Sequence, residues 1–223
     1  MTYPTPQSQT GAKKRDYFWT VLAVDPVAFP IVRLLARKRW LSPDQVTAIS
    51  FVMGIATGPL YGIGERWSLA VGAVVYYLSF MLDCVDGKLA RITGNSTDRG
   101  KALDALADSA RRASAILGII WFLIYDGDTS ATELFLAAAF AVLSFYFMEI
   151  SGAEKQEPKA GALGKWNAML AKRRLLPTPG MPDVSAIVFF LGPLTLLIVP
   201  ALWVGLAMVV VGIALTARRR LLT

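Results

Sequence analysis

Six apolar stretches dominate the chain, at about 44–63, 67–87, 103–125, 131–151, 184–200 and 201–217. Each is close to the roughly 20 residues a helix needs to cross the ~30 Å hydrocarbon core of a bilayer. Pro43 precedes the first as a start signal, and Asp183 is placed to cap the fifth at its N-terminus. Almost nothing separates the fifth from the sixth, which predicts a tight helical hairpin around Pro200. Ahead of these, residues 1–15 are polar and end in a basic run, the pattern of a disordered cytoplasmic tail. Residues 16–40 form a juxtamembrane region broken by Asp25, Pro26 and Pro30 and lacking a small-residue cleavage site, unlike a signal peptide. Within it, Phe29 to Trp40 sets Ile31, Leu34 and Leu35 among Arg33, Arg37, Lys38 and Arg39. That pattern suits an amphipathic helix lying in the membrane interface with its cations snorkelling to headgroups; an ordinary cytosolic helix is the alternative. The predicted fold is all-α, a six-transmembrane-helix bundle over 41–223 preceded by that interfacial helix.

Composition agrees with a bilayer as solvent. Of 223 residues, 55 % are hydrophobic and 17 % charged, and mean hydropathy is +0.49, more apolar than a small soluble core can hide. Charge then sets the topology. With the N-terminus inside, six spans place segments 13–39, 88–112, 155–174 and 218–220 on one side, and these hold 22 of the 23 Lys and Arg residues. Only Arg66 is left outside. This is the asymmetry of an inner-membrane protein with both termini cytoplasmic. The net charge of +7 therefore reads as loops facing anionic lipid and not as a nucleic-acid surface. There is no histidine, which removes His general bases, Ser–His triads and His zinc sites. The single cysteine, Cys84, excludes an internal disulfide and a Cys-only metal cluster.

The second and third stretches carry four carboxylates where a passive bundle has none: Asp83, Asp86, Asp104 and Asp108. A carboxylate at the centre of a bilayer costs on the order of 2.5–3.5 kcal/mol by insertion scales, so four of them require a common partner. Asp83 and Asp86 are three apart and Asp104 and Asp108 four apart, so each pair shares one helix face. The two helices are joined by a short polar loop and must return antiparallel, which lets the pairs meet near the inner surface. Four anionic groups there repel one another unless a hard divalent cation such as Mg²⁺ or Mn²⁺ intervenes. Metals held this way usually hold substrate phosphates as well. Gly87 and Ala90 lie near the same face, and Gly100 opens the third helix. Small side chains there admit a base or a pyrophosphate to the backbone, or simply allow tight helix packing. Arg91 is placed to hold a phosphate or one of the carboxylates.

The run D-x2-D-G-x2-A-R-x8-G-x3-D-x3-D, from Asp83 to Asp108, has all eight specified positions filled without insertion or deletion. It resembles the signature of the CDP-alcohol phosphotransferase (CDP-alcohol phosphatidyltransferase) family. The six spans, the interfacial helix and Ser42-Pro43-Asp44-Gln45-Val46-Thr47 before the first span also resemble that family, although many relatives have Asn at the position of Asp44. The resemblance implies that a CDP-activated donor gives its phosphoryl-linked group to an alcohol and that CMP leaves. It implies two divalent cations on Asp83, Asp86 and Asp104 with Asp108 at the edge of the site, and Asp108 as general base. It further implies that Gly87, Ala90, Arg91 and Gly100, with Thr47 from the first span, surround the CDP group, and that the chain forms a homodimer. CDP-diacylglycerol is the expected donor and a phospholipid the expected product; a soluble CDP-alcohol or a CMP-activated phosphonate is the alternative.

The acceptor side is less defined. Arg111 and Arg112 follow Asp108 by three and four residues, so at least one faces the same cavity. They suit a phosphate on the acceptor, as in inositol phosphate or glycerol phosphate, or they pair internally with Asp104 or Asp108. Arg173 and Arg174, in the long basic loop 152–182, either reach over the cavity mouth to an anionic group or serve topology alone. Glu149 is a candidate for an acceptor hydroxyl. A cation transporter also places carboxylates in a membrane, but near the midplane and often on broken helices.

Overall fold

The computed structural model describes residues 11–125, 128–152 and 164–221. Among them every regular element is helical, apart from one isolated parallel bridge between Asp16 and Leu175. A π-wound turn at Thr20–Val24 leads directly into α1 (Asp25–Lys38). Then come α2 (Pro43–Gly62), α3 (Arg66–Thr93), α4 (Asp98–Tyr125), α5 (Ala131–Gly152) and α6 (Gly164–Lys172). The last two are α7 (Met181–Thr195), which is π-wound over Ile187–Leu191, and α8 (Ile198–Leu221).

Each predicted apolar stretch coincides with a helix, but among the described residues only three helices are long and apolar enough to cross a membrane by themselves: α3, α5 and α8. The other three fall short for readable reasons. The stretch 98–112 of α4 carries seven charged residues, α2 is diluted by Gly, Ser and Thr, and α7 is short. Large apolar side chains such as Val52, Leu117, Phe135, Val142 and Trp203 stand more than half exposed along these helices. A surface of that kind belongs in lipid rather than water.

The helix ends meet one expectation and correct two. The α2 start is as predicted and complete: Ser42 caps it, with Gln45 N donating to Ser42 Oγ at 3.2 Å and Ser42 N to Gln45 Oε1 at 2.9 Å. Asp183 is not the cap of α7. Gly180 holds that position, and Asp183, inside the first turn, accepts from Gly180 N at 2.9 Å. The final hairpin turns at Leu196, a left-handed residue with φ 62°. Pro200 therefore lies in the first turn of α8, where its missing N–H costs nothing.

The predicted amphipathic helix begins earlier than Phe29, and its buried face is Ala28, Val32 and Leu35, continuing from Val24. These side chains pack on Val46 of α2 and on Met81, Val85 and Leu89 of α3. Leu34, expected on the apolar face, is exposed. The tail also differs: its residues 1–10 lie outside the described residues, whereas Gly11 is seated against the protein, accepting from Arg91 Nε at 2.6 Å, and Asp16, which follows the tail, is held in the same way. Asp16 N donates to Arg174 O at 2.8 Å and Leu176 N to Asp16 O at 2.9 Å.

The core explains how the site is positioned. α2 is wedged between α3 and α4, so the two carboxylate-bearing helices scarcely touch along their length. Toward α4 the wedge is tight because Gly58 and Gly118 meet backbone to backbone, with no room for a Cβ on either. Toward α3 it is locked by a reciprocal pair: Ser50 Oγ donates to Ser79 O at 3.0 Å and Ser79 Oγ to Ser50 O at 2.7 Å. A second core joins Tyr61, Tyr76 and Ile119 to Phe140, Phe147, Phe189 and Leu202 and so ties α5, α7 and α8 to the bundle.

Candidate active site

Counting ~1.5 Å per residue, Asp83 lies about 26 Å along α3 from Arg66, and Asp108 about 26 Å along α4 from Tyr125. The connection at 94–97 brings α4 back, so the four carboxylates stand at matching depths at one end of the bundle. Their immediate partners differ. Asp86 is only 3 % exposed and accepts from Thr47 Oγ1 at 2.5 Å. Asp83 and Asp108 both pair with the Arg111 guanidinium, Asp83 at 3.3 Å and Asp108 in close contact. Arg112 Nη1 lies 3.4 Å from the other oxygen of Asp108. Asp104 is half-buried and lines open space.

Two cavities flank this group. One, of about 280 Å³, is lined by Thr47, Asp86, Gly87, Ala90, Arg91, Gly100 and Asp104 among others. It gathers every residue predicted to surround a nucleotide. The other, of about 260 Å³, is lined by Asp83, Asp104, Asp108, Arg111 and Arg112 and closed by Lys13, Asp16, Tyr17 and Thr20. Gly87, Arg91 and Asp104 belong to both linings. A Cβ on Gly87 would meet nothing nearer than the Arg91 guanidinium at 3.6 Å. Helix packing therefore does not demand this glycine; the space it leaves is cavity. Gly100 is different, since a Cβ there would crowd Thr97 Oγ1 at 3.1 Å and Asp44 Oδ1 at 3.3 Å.

Of the basic residues predicted for an acceptor, Arg112 lines the second cavity with a guanidinium that is largely covered. Arg111 is 1 % exposed and its reach is spent on Asp83, Asp108, Ser50 and Ser79, so the internal pairing is what the geometry shows. Arg174 turns away from both cavities and pairs with Asp25 at 3.0 Å, while Arg173 and Glu149 are exposed and line neither. The expectation that Arg173 or Arg174 covers the cavity mouth is thus not met. Lys13, Asp16, Tyr17 and Thr20 line the second cavity instead, a placement the sequence offered no signal for. Arg91 Nε donates to Gly11 O at 2.6 Å, so the chain just ahead of these residues contacts a residue common to both cavities. Tyr17 stays a neutral phenol, its pKa raised first by burial and then by the Asp16 and Asp183 carboxylates.

Four carboxylates form a hard-oxygen donor set suited to Mg²⁺ or Mn²⁺, with no histidine in the chain and one thiol, Cys84, in the lining of the second cavity. Among the described residues, however, no three are gathered as ligands of one ion. Two of the four, Asp83 and Asp108, are instead paired with Arg111.

Residues 40–218 match the CDP-alcohol phosphatidyltransferase family. Phosphatidylinositol phosphate synthase of Mycolicibacterium smegmatis is 28 % identical over 191 residues, 84 % of this chain and 81 % of its own. The Corynebacterium glutamicum protein of that name is 29 % identical over 114 residues, 51 % of this chain and 50 % of its own. Among solved structures, Mycobacterium tuberculosis phosphatidylinositol phosphate synthase with CDP-DAG bound is similar with a TM-score of 0.57 at 21 % identity, covering 86 % of this chain and 92 % of the other. The same synthase in complex with manganese and citrate gives 0.56 at 21 % identity, covering 86 % and 87 %.

Proposed function

Since the chain belongs to the CDP-alcohol phosphatidyltransferase family and is a transferase of that family, we propose that it moves a phosphatidyl group from CDP-diacylglycerol to a phosphorylated inositol. The observation that carries this reading is the pair of cavities sharing Gly87, Arg91 and Asp104. One suits a nucleotide, the other a polar acceptor, and the acidic group stands between them. In the donor cavity Thr47, Gly87, Ala90, Arg91 and Gly100 surround the CDP group. In the other, Arg112 and Lys13 offer cationic partners to the acceptor phosphate. The acceptor hydroxyl gives its proton to a carboxylate oxygen of Asp108, its oxygen bonds to the phosphorus carrying diacylglycerol, and the bond from that phosphorus to CMP breaks. Asp83, Asp86, Asp104 and Asp108 would hold divalent metal, two ions by resemblance, which when bound supplies charge that neutralises the diphosphate and stabilises departing CMP.

Six spans, with the acidic end and nearly all Lys and Arg on the cytoplasmic side, complete the reading. The donor then keeps its acyl chains in the inner leaflet while its nucleotide enters the site. Names of the relatives support inositol phosphate over other acceptors.

The test is CMP release by purified protein in lipid nanodiscs containing CDP-diacylglycerol, with inositol phosphate, glycerol phosphate, serine or inositol added in turn. Release is expected with inositol phosphate, to stop on chelation and to return with Mn²⁺ or Mg²⁺. Release that survives chelation defeats the metal assignment, and a response to serine or free inositol alone defeats the acceptor assignment.

A further inference from the structure

Arg111 is placed in a socket built by three helices. Its guanidinium touches Ser50 Oγ and Ser79 Oγ at 3.3 Å each, from α2 and α3, and reaches Asp83 of α3 and Asp108 of its own helix. The Phe80 ring lies against it, 5.4 Å from centroid to guanidinium carbon. Gly54 makes room, because a Cβ there would stand 2.9 Å from the Arg111 Cβ. Only 1 % of the residue is exposed, so although it borders the second cavity its guanidinium is committed to these protein partners. A guanidinium can span two carboxylates at once, which an ammonium point charge does poorly.

We propose that Arg111 is a positioning residue: a fixed internal cation that bridges Asp83 and Asp108, holds the two acids together before metal arrives, and limits how tightly metal is bound. This rests on the functional reading above for the roles of Asp83 and Asp108. Two effects follow from one charge. By bridging, Arg111 sets the angle at which Asp108 faces the second cavity. By being positive, it opposes a divalent cation among the same carboxylates and keeps that affinity moderate. A residue that merely supported the fold would lose metal binding and turnover together on removal. Arg111 is expected to separate them.

The experiment compares the wild type with R111M and R111K, full chain in nanodiscs. Mn²⁺ binding is read by electron paramagnetic resonance without substrates, and CMP release is read separately. R111M removes the charge at similar length, and Mn²⁺ should bind about ten-fold tighter or more, while turnover falls about 100-fold. R111K keeps the charge but loses the fork, so Mn²⁺ affinity should stay within about threefold and turnover fall about ten-fold. Weaker Mn²⁺ binding by R111M in step with lost turnover overturns the proposal, as does wild-type turnover in R111K. Should R111M not elute monodisperse, R111K decides alone: retained Mn²⁺ affinity with reduced turnover supports the proposal, and parallel loss of both overturns it. A wild type that binds Mn²⁺ yet releases no CMP from any donor would sink the functional reading instead, leaving the Mn²⁺ comparison to judge Arg111.

Discussion

Asp108→Asn is expected to lower CMP release by about 10²–10⁴-fold, the usual contribution of a positioned general base, while binding of the CDP group changes little. Asparagine matches aspartate in shape and can still accept from Arg111 through its amide oxygen, so the socket around Arg111 should persist. What it cannot do is take a proton. Asp108 also lines the acceptor cavity and is absent from the lining of the cavity assigned to the nucleotide. Titration of the variant with CDP in the presence of Mn²⁺, set beside its turnover, separates the possibilities. Equal loss of binding and turnover would make Asp108 chiefly a ligand and return the search for the base to the other carboxylates.

Asp25→Ala is expected to cost about 3–5 kcal/mol of stability, the range for stripping one partner from a buried ion pair. Asp25 is 2 % exposed and sits between Lys88 Nζ at 3.0 Å and Arg174 Nη1 at 3.0 Å. Lys88 is itself 3 % exposed, and beyond Asp25 its ammonium reaches the Cys84 carbonyl at 3.2 Å. Removing the carboxylate leaves that ammonium buried without its counter-charge. The cluster joins α1, the residue after Gly87 on α3, and the segment ahead of α7, so its loss should also loosen the wall of the acceptor cavity. Denaturant unfolding of the detergent-solubilised variant checks the figure. A loss below about 1 kcal/mol would mean that Lys88 and Arg174 find water or other acceptors at little cost.

The acidic site was legible from sequence because its logic is local. Asp83 with Asp86 and Asp104 with Asp108 each fall on one helix face by spacing alone, and charge in an apolar segment is costly enough to demand a reason. Thr47 was legible only through resemblance; its 2.5 Å hydrogen bond to Asp86 crosses from one helix to another. Arg111 could be placed near Asp108 by counting, but its choice of Asp83 and two serines over an incoming phosphate depends on Ser50 and Ser79 arriving from helices far away in sequence. The wedge formed by α2 was hidden for the same reason, since Gly58 meeting Gly118 is a contact between separate helices.

The N-terminal segment shows the opposite failure. Residues 11–15 read as tail because they are polar and basic, yet Gly11 lies against α3 with φ 62°, where a Cβ would strike the Lys88 backbone, and Asp16 just after them joins Leu175. Composition could not reveal an order that partners more than 70 residues away impose. Asp183 is a similar case. It looked like a cap by position, but its carboxylate also accepts from Trp19 N at 2.7 Å and so fastens the same segment to α7.

The most direct measurement is an anomalous-difference map from crystals of the protein grown with Mn²⁺ and a CDP ligand. Peaks are predicted among Asp83, Asp86, Asp104 and Asp108, with the cytidine in the cavity lined by Thr47, Gly87 and Gly100. Manganese located away from those four carboxylates, or cytidine bound in neither cavity, would contradict the account.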